Sequence, residues 1–467
     1  MRNDLNAITP VDGRYRELTA GLSGYFTEAR LIYHRIIAEA EYFLALAATP
    51  GAGIRRLTKR EKEFIKNLPC KIMPEQVKRI ETRGGKNIPP TNHDVKAVEY
   101  CIKEEFSKTG LRDLKEFIHI AATSEDINSL AYGMILSKTL SETIIPMLKE
   151  ILIELEALAE KHSNLPLLAR THGQPAVGTT FGKEFKVFSA RLSRHLRFLE
   201  NFKITAKFSG AAGNYNAHTA AFPRIKWIDF SENLIRKLNN TLKIKLSLNK
   251  LTTQIEPHDN YAELFDAMRR TNTILIDFCQ DVWRYISDGL LVQKPVKGEI
   301  GSSTMPHKIN PINFENAEGN LGIANALFEF FSRKLPVSRL QRDLSDSTVK
   351  RNFGTAFAHS LIAYKFILKG LKKIQVNAWK AEEELKNHPE IYAEAIQTIL
   401  RREGFENPYE LLKDFTRGSE INFEKLESFI EQLETGKNTK KELKNLIKKP
   451  YIGLAPALAK LKTENRG

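Results

Sequence analysis

Residues 297–320 read Lys297-Gly-Glu-Ile-Gly-Ser-Ser-Thr-Met-Pro-His-Lys-Ile-Asn-Pro-Ile-Asn-Phe-Glu-Asn-Ala-Glu-Gly-Asn320. The first half of this stretch cannot be a regular helix or strand. Gly298 and Gly301 loosen the backbone, while Pro306 and Pro311 each remove a donor and fix a torsion. Yet Ser302, Ser303, His307, Lys308 and Asn310 crowd it with reactive or hydrogen-bonding groups. It is not a P-loop, because the Gly-Lys-Ser/Thr ending is absent. Its flanks are helical by pattern. Upstream, Tyr261, Met268, Leu275 and Val282 form one heptad row, and Leu264, Phe278 and Tyr285 form the next, broken by Thr271. A helix from His258 to about Ile286 would be ~40 Å long. Downstream, a helix is expected from about Pro311 to Lys334, stopped by Pro336. A polar loop between two long helices suits side chains that close over a ligand.

The rest of the chain extends the helical reading. Glu28 to Ala48 is helical by pattern. Ile144, Ile151 and Leu158, with Leu148 and Leu155 between them, mark a bundle seam. Strand signals are few. Ile244–Leu248 is the best, and a minor hairpin is expected there. After about Gly370 the pattern shortens and becomes more charged. The expected architecture is all-α, with a mostly helical N-terminal domain over residues 1–113, a central long-helix bundle over 114–371 and a small helical domain over 372–467.

Composition narrows the function. The chain has 467 residues, 42% of them hydrophobic, and a net charge of +15. No apolar run reaches the ~18 residues that a spanning helix needs. The first fifteen residues lack the apolar centre of a signal peptide, so a cytoplasmic location and no membrane partner are expected. Cys70, Cys101 and Cys279 form no Cys-x-x-Cys pair and read as reduced structural residues. The basic residues are spread along the chain without a zinc-finger or RNA-binding motif. Nucleic acid is therefore not the expected partner; a basic surface also attracts small anions.

Several loops carry candidate chemistry. In Thr9-Pro-Val-Asp-Gly-Arg-Tyr15, Arg14 could bind an anion as a planar fork with Tyr15 beside it. The Arg83–Pro90 loop leads to Thr91-Asn-His-Asp94, where Asn92 or Asp94 should cap a helix through Val95, Val98 and Ile102. Thr123-Ser-Glu-Asp126 is a strong helix start. The Gly and Pro of Leu168-Ala-Arg-Thr-His-Gly-Gln-Pro175 make a turn expected to hold His172 at a helix end. No second histidine stands at a metal-ligand spacing from His172, so no metal is expected. Residues Ser209–Asn216 are small and Gly-rich, suiting close backbone approach. Residues 338–352 carry cations that form either a solvated face or a phosphate clamp.

The motif Gly301-Ser-Ser-Thr-Met-Pro-His-Lys-Ile-Asn-Pro311 resembles the signature loop of the fumarase/aspartase superfamily. The segments Thr123-Ser-Glu-Asp126, Thr171-His-Gly-Gln-Pro175 and Gln254-Ile-Glu-Pro-His-Asp259 stand in the order seen in adenylosuccinate lyases. The Pro10–Tyr15, Thr91–Tyr100 and Arg342–Asn352 segments resemble the longer bacterial type. The Arg83–Pro90 loop departs from that pattern by its length. The resemblance implies β-elimination of fumarate, from adenylosuccinate to give AMP and from the succinyl-aminoimidazole carboxamide ribotide to give the carboxamide ribotide. Both steps belong to purine synthesis. It makes Ser302 the general base and His172 the general acid. Thr123, Ser124, Gln254, Ser303, Lys308 and Asn310 would hold the carboxylates. Arg14, Tyr15, Ser347 and Arg351 would meet the phosphate, with His93 nearby, and Arg342 could serve either group. Asn92, Asp94, Ile309, Asn316, Thr348, Val349 and Lys350 complete the implied substrate-binding set. The family needs no cofactor, since the substrate's own carboxylate is the electron sink. It is homotetrameric, with active sites shared between subunits.

Two other readings compete. Argininosuccinate lyase, fumarase and aspartase share the signature loop, but their substrates carry no phosphate for Arg14, His93 and Arg351. A basic helical RNA-binding homologue that has lost the chemistry would have no use for Ser302 together with His172.

Overall fold

The computed structural model describes residues 5–85, 88–295, 305, 307–417 and 421–462. Most of them are helical, as the periodicity predicts. The longest helix is Asp259–Ser287. Both heptad rows of that helix are buried, except that Tyr285 is half-buried. Thr271, the apparent break in the row, is also buried, because its hydroxyl donates to the Ala267 carbonyl at 2.8 Å. The other long helices are Glu28–Ala47, Ser124–Thr139, Ile145–Lys161, Phe181–Asn201, Ile312–Lys334 and Phe353–Leu371. The seam in Ile145–Lys161 buries Leu148, Ile151, Leu155 and Ala159, leaving Leu158 half-buried.

The chain folds as two compact units. The first comprises Met1–Leu148, His195–Leu275 and Gly319–Lys365. One of its cores joins Ile32, Ile36 and Phe43 to Val98, Ile102 and Phe106. Another stacks Phe265 on Phe328 and packs it at a tilt against Phe353 and Phe357. Beside these rings, Asn272 links Ser360 and Tyr364 in a buried trio whose hydrogen bonds, at 3.0 and 2.6 Å, satisfy its polar groups.

The second unit comprises Lys149–Arg194, Ile276–Glu318 and Phe366–Gly467. Its C-terminal part is a set of short amphipathic helices around Leu385, Ile396, Leu400, Leu426, Ile430 and Leu443.

Six short strands occur among the described residues. Here one expectation is corrected. Leu246–Leu248 (β4) is a strand, but its partner is Ile204–Ala206 (β3) and the pairing is parallel, not a hairpin. The hairpin lies elsewhere, between Pro166–Thr171 (β1) and Gln174–Thr180 (β2). Leu291–Gln293 (β5) pairs with Ile374–Val376 (β6).

Candidate functional site

In the first unit, four distant segments meet through one charge network. The Asp94–Ser107 helix is capped by His93, not by Asn92 or Asp94 as expected. His93 Nδ1 accepts from the Lys96 amide at 3.2 Å, while Asn92 adopts a left-handed φ of 48°. That acceptor role places any imidazole proton of neutral His93 on Nε2, which lies 3.4 Å from Ser124 Oγ. Capping by histidine leaves Asp94 free for cations. Its Oδ2 receives both Arg35 Nη2 and Arg351 Nη2 at 2.8 Å. These cations outweigh the opposing effect of burial and hold the Asp94 carboxyl below the usual range. Arg351 also binds Glu28.

The second cluster forms at the start of the Ser124–Thr139 helix. Asp126 accepts from the Thr123 amide at 2.9 Å, closing the helix start as the sequence predicts. Glu125 is buried and accepts from Arg342 Nη2 at 3.1 Å and Lys350 Nζ at 2.9 Å. Burial would raise its pKa, but Lys350 and Arg342 prevail and hold it at about 2. Arg342 Nη1 reaches Gln254 Oε1 at 3.2 Å. Lys350 lies 2.6 Å from Asp346, so its ammonium is buried between two carboxylates. The basic run over 338–352 is therefore neither a solvated face throughout nor a set of free cations. Lys350 and Val349 are buried, whereas Thr348 and Arg351 are exposed and Ser347 is half-buried.

Asp12 and Arg16 face Arg351, Gly354 and Thr27 across a cavity of about 460 Å³. Arg14, two residues from Arg16, is exposed and Tyr15 half-buried. The sequence motifs do not single out Arg16, Glu125 or Arg35. Arg35 could have been found as a lone arginine in the apolar Leu31–Phe43 stretch.

The remaining candidates lie in the second unit. His172 does not sit at a helix end. It occupies the tip of the β1–β2 hairpin, where Thr171 pairs with Gln174 and only His172 and Gly173 form the loop. Their φ values of 53° and 75° are those of a type I′ turn, whose twist matches the flanking strands. The imidazole is exposed. Nearby in sequence, Gly178 is obligatory because a Cβ there would lie 2.4 Å from the Tyr451 carbonyl. Lys308 and Ile309 are exposed and Asn310 half-buried. The Ile309 carbonyl accepts from Gln293 Nε2 at 3.0 Å, tying the end of the signature stretch to β5. Asn316 is half-buried on the Ile312–Lys334 helix. Ser302 and Ser303 lie outside the described residues. No cluster of His, Cys, Asp and Glu suited to a metal occurs among the described residues.

The chain as a whole is similar to known proteins. Residues 16–324 match the family model described as Lyase, and residues 338–452 match that of the adenylosuccinate lyase C-terminal domain. Curated adenylosuccinate lyases are similar over nearly the full length. One from Legionella pneumophila is 46% identical, covering 98% of each chain. One from Escherichia coli is 44% identical, covering 97% of this chain and 98% of the relative. One from Dictyostelium discoideum is 46% identical, with coverages of 97% and 98%. Among solved structures, a fumarate lyase from Mesorhizobium superposes with a TM-score of 0.72 at 18% identity, covering 96% of each chain, which speaks to the fold. The chain belongs to the adenylosuccinate lyase family.

Proposed function

We propose that the chain eliminates fumarate from adenylosuccinate, releasing AMP, and from the succinyl-aminoimidazole carboxamide ribotide, as steps of purine nucleotide synthesis. The observation that carries the reading is the meeting, in the first unit, of Asp94, Ser124, Gln254, Arg342 and Arg351 from four separate segments. Two arginine forks, Arg342 and Arg351, suit a substrate that carries carboxylates and a phosphate.

In the proposed reaction, Ser302 removes a proton from the carbon beside a carboxylate of the succinyl group. The carboxylate takes up the electron pair as a dianionic intermediate. Return of that pair forms the carbon–carbon double bond and expels the nitrogen. His172 protonates the leaving nitrogen. Thr123, Ser124, Gln254, Ser303, Lys308 and Asn310 stabilise the intermediate by preorganised donation. Arg14, Tyr15, His93, Ser347 and Arg351 hold the phosphate, and Arg342 a carboxylate or the phosphate. Asn92, Asp94, Ile309, Asn316, Thr348, Val349 and Lys350 line the remaining contacts. Chemistry of this kind requires no cofactor.

We also propose a cytoplasmic homotetramer with active sites shared between subunits. Large apolar side chains exposed on the long helices support assembly: Ile153, Val187, Trp283, Ile323 and Phe330. The test of function is ultraviolet absorbance with adenylosuccinate, run beside Ser302→Ala. Release of AMP and fumarate by the wild type alone supports the reading. Turnover of argininosuccinate, malate or aspartate instead would redirect it, and full activity in Ser302→Ala would remove the proposed base.

A further inference from the structure

We infer that Glu125 is a positioning residue for the reaction: it aims the Arg342 guanidinium at the substrate. The inference rests on the fumarate-releasing reading above. Glu125 is buried, and each of its oxygens has a separate task. Oε2 takes the Lys350 ammonium at 2.9 Å. Oε1 takes Arg342 Nη2 at 3.1 Å and Asn128 Nδ2 at 2.7 Å. Asn128 is itself oriented by Arg35 Nε, which donates to its Oδ1 at 2.9 Å. Arg35 also binds Asp94, the carboxylate that holds Arg351. One continuous set of hydrogen bonds therefore runs from Arg351 through Asp94, Arg35, Asn128 and Glu125 to Arg342.

Arg342 needs this help. It comes from an irregular stretch between the Ile312–Lys334 helix and the short Ser345–Lys350 helix. Among the described residues its Nε is buried without a hydrogen-bond partner, and the nearest Asp346 oxygen is 3.8 Å away. Among the described residues, Glu125 and Gln254 are the partners whose hydrogen bonds fix the plane of the fork, and Gln254 is neutral. A guanidinium is held more strongly by an ionised carboxylate than by a neutral amide oxygen, so Glu125 dominates the aim. A buried Glu125 that served only to neutralise Lys350 would not need its other oxygen on Arg342.

The test uses Glu125→Gln, which keeps the shape and removes the charge, with Glu125→Asp as a second variant that keeps the charge and shortens the reach. Wild-type turnover of adenylosuccinate first decides the reaction independently. In a crystal structure of Glu125→Gln, the Arg342 fork should leave Gln254; a fork still on Gln254 overturns the inference whatever the reaction proves to be. In kinetics, Glu125→Gln should raise KM roughly 10-fold to 100-fold, with a smaller change in kcat. Placed on an Arg342→Ala background, Glu125→Gln should raise KM no further. An equal rise on both backgrounds would mean that Glu125 acts elsewhere, and an unchanged KM in the single variant would refute the role outright. If Glu125→Gln does not fold, the same structure and cycle are read on Glu125→Asp.

Discussion

Asp126 and Lys207 meet at 2.8 Å with neither side chain exposed to solvent. The pair is fully furnished with partners. Asp126 also accepts from the amides of Thr123 and Ser209 at 2.9 Å and of Gly210 at 3.1 Å. Lys207 Nζ donates to the carbonyls of Gly210 and Gln254 at 2.9 Å. The pair thereby fastens the Ser124 helix start, the Ser209–Gly213 turn and the Gln254 backbone together. Removing one partner leaves a buried charge uncompensated. Lys207→Met should lower the unfolding free energy by about 3–5 kcal/mol, measured by urea denaturation. The double variant with Asp126→Asn should recover part of that loss.

The Ser209–Gly213 turn supports a second prediction. Gly213 has a φ of 81°, and a Cβ on it would lie 2.1 Å from the Thr252 carbonyl. Strain and clash act together, so Gly213→Ala should cost about 1–3 kcal/mol from the backbone conformation alone, and more from the overlap. Because Thr252 precedes Gln254 by two residues, the KM for adenylosuccinate should rise in the same variant. Calorimetry and steady-state kinetics check both effects.

Acid should weaken the fold from near neutrality downward. Burial lowers the pKa of His34 and His218 to about 4 and of His258 to about 3. Both ring nitrogens of His218 are buried without a hydrogen-bond partner. In the unfolded chain these rings take protons near the ordinary value of ~6.5. Between that value and the folded ones the unfolded state binds more protons, so stability is retained above about pH 6.5 and falls as pH drops. Each histidine contributes a slope of up to about 1.4 kcal/mol per pH unit there. His218 packs against Trp227 at 4.6 Å, so His218→Phe should keep most of the neutral-pH stability and flatten the acid limb. Urea midpoints from pH 7 to 4 would show this, and an unchanged limb would argue against the buried ring as its cause.

The hairpin tip allows the acid role of His172 to be separated from its backbone role. Asn tolerates the left-handed conformation of a type I′ turn. His172→Asn should therefore leave the melting temperature unchanged while abolishing turnover. Gly173→Ala should instead cost about 1 kcal/mol or more of stability, because φ is 75° there. Retention of activity in His172→Asn would remove the proposed general acid.

The long helices were legible because their apolar residues recur at 3.5 to 3.6 positions, and burial follows those rows in Asp259–Ser287. The hairpin was not. Its strands are short, interrupted by a register shift between Leu168 and Arg170, and carry Pro175. Its turn signal, His-Gly, is weaker than Asn-Gly. His93 lies in the capping region as its sequence position suggests, but the cap itself is expected from Asn92 or Asp94, the better intrinsic caps; Asp94 is drawn off by two arginines from distant segments. Glu125 read as a first-turn acid that favours the helix dipole. Its partners stand 217 and 225 residues away, beyond any local pattern.

The chain passes between its two units five times, at residues 148, 194, 275, 318 and 365. During synthesis the first unit cannot be completed until Lys365 has left the ribosome, although its opening 148 residues emerge first. Those early helices must wait with Glu125 and Asp126 lacking Arg342, Lys350 and Lys207. A proteolytic nick at residue 194, 275 or 318 leaves neither unit covalently whole, and one at 148 or 365 leaves only one of them so. To move either unit on its own would mean joining three separate stretches of coding sequence, so neither is a module that recombination could transfer in one step.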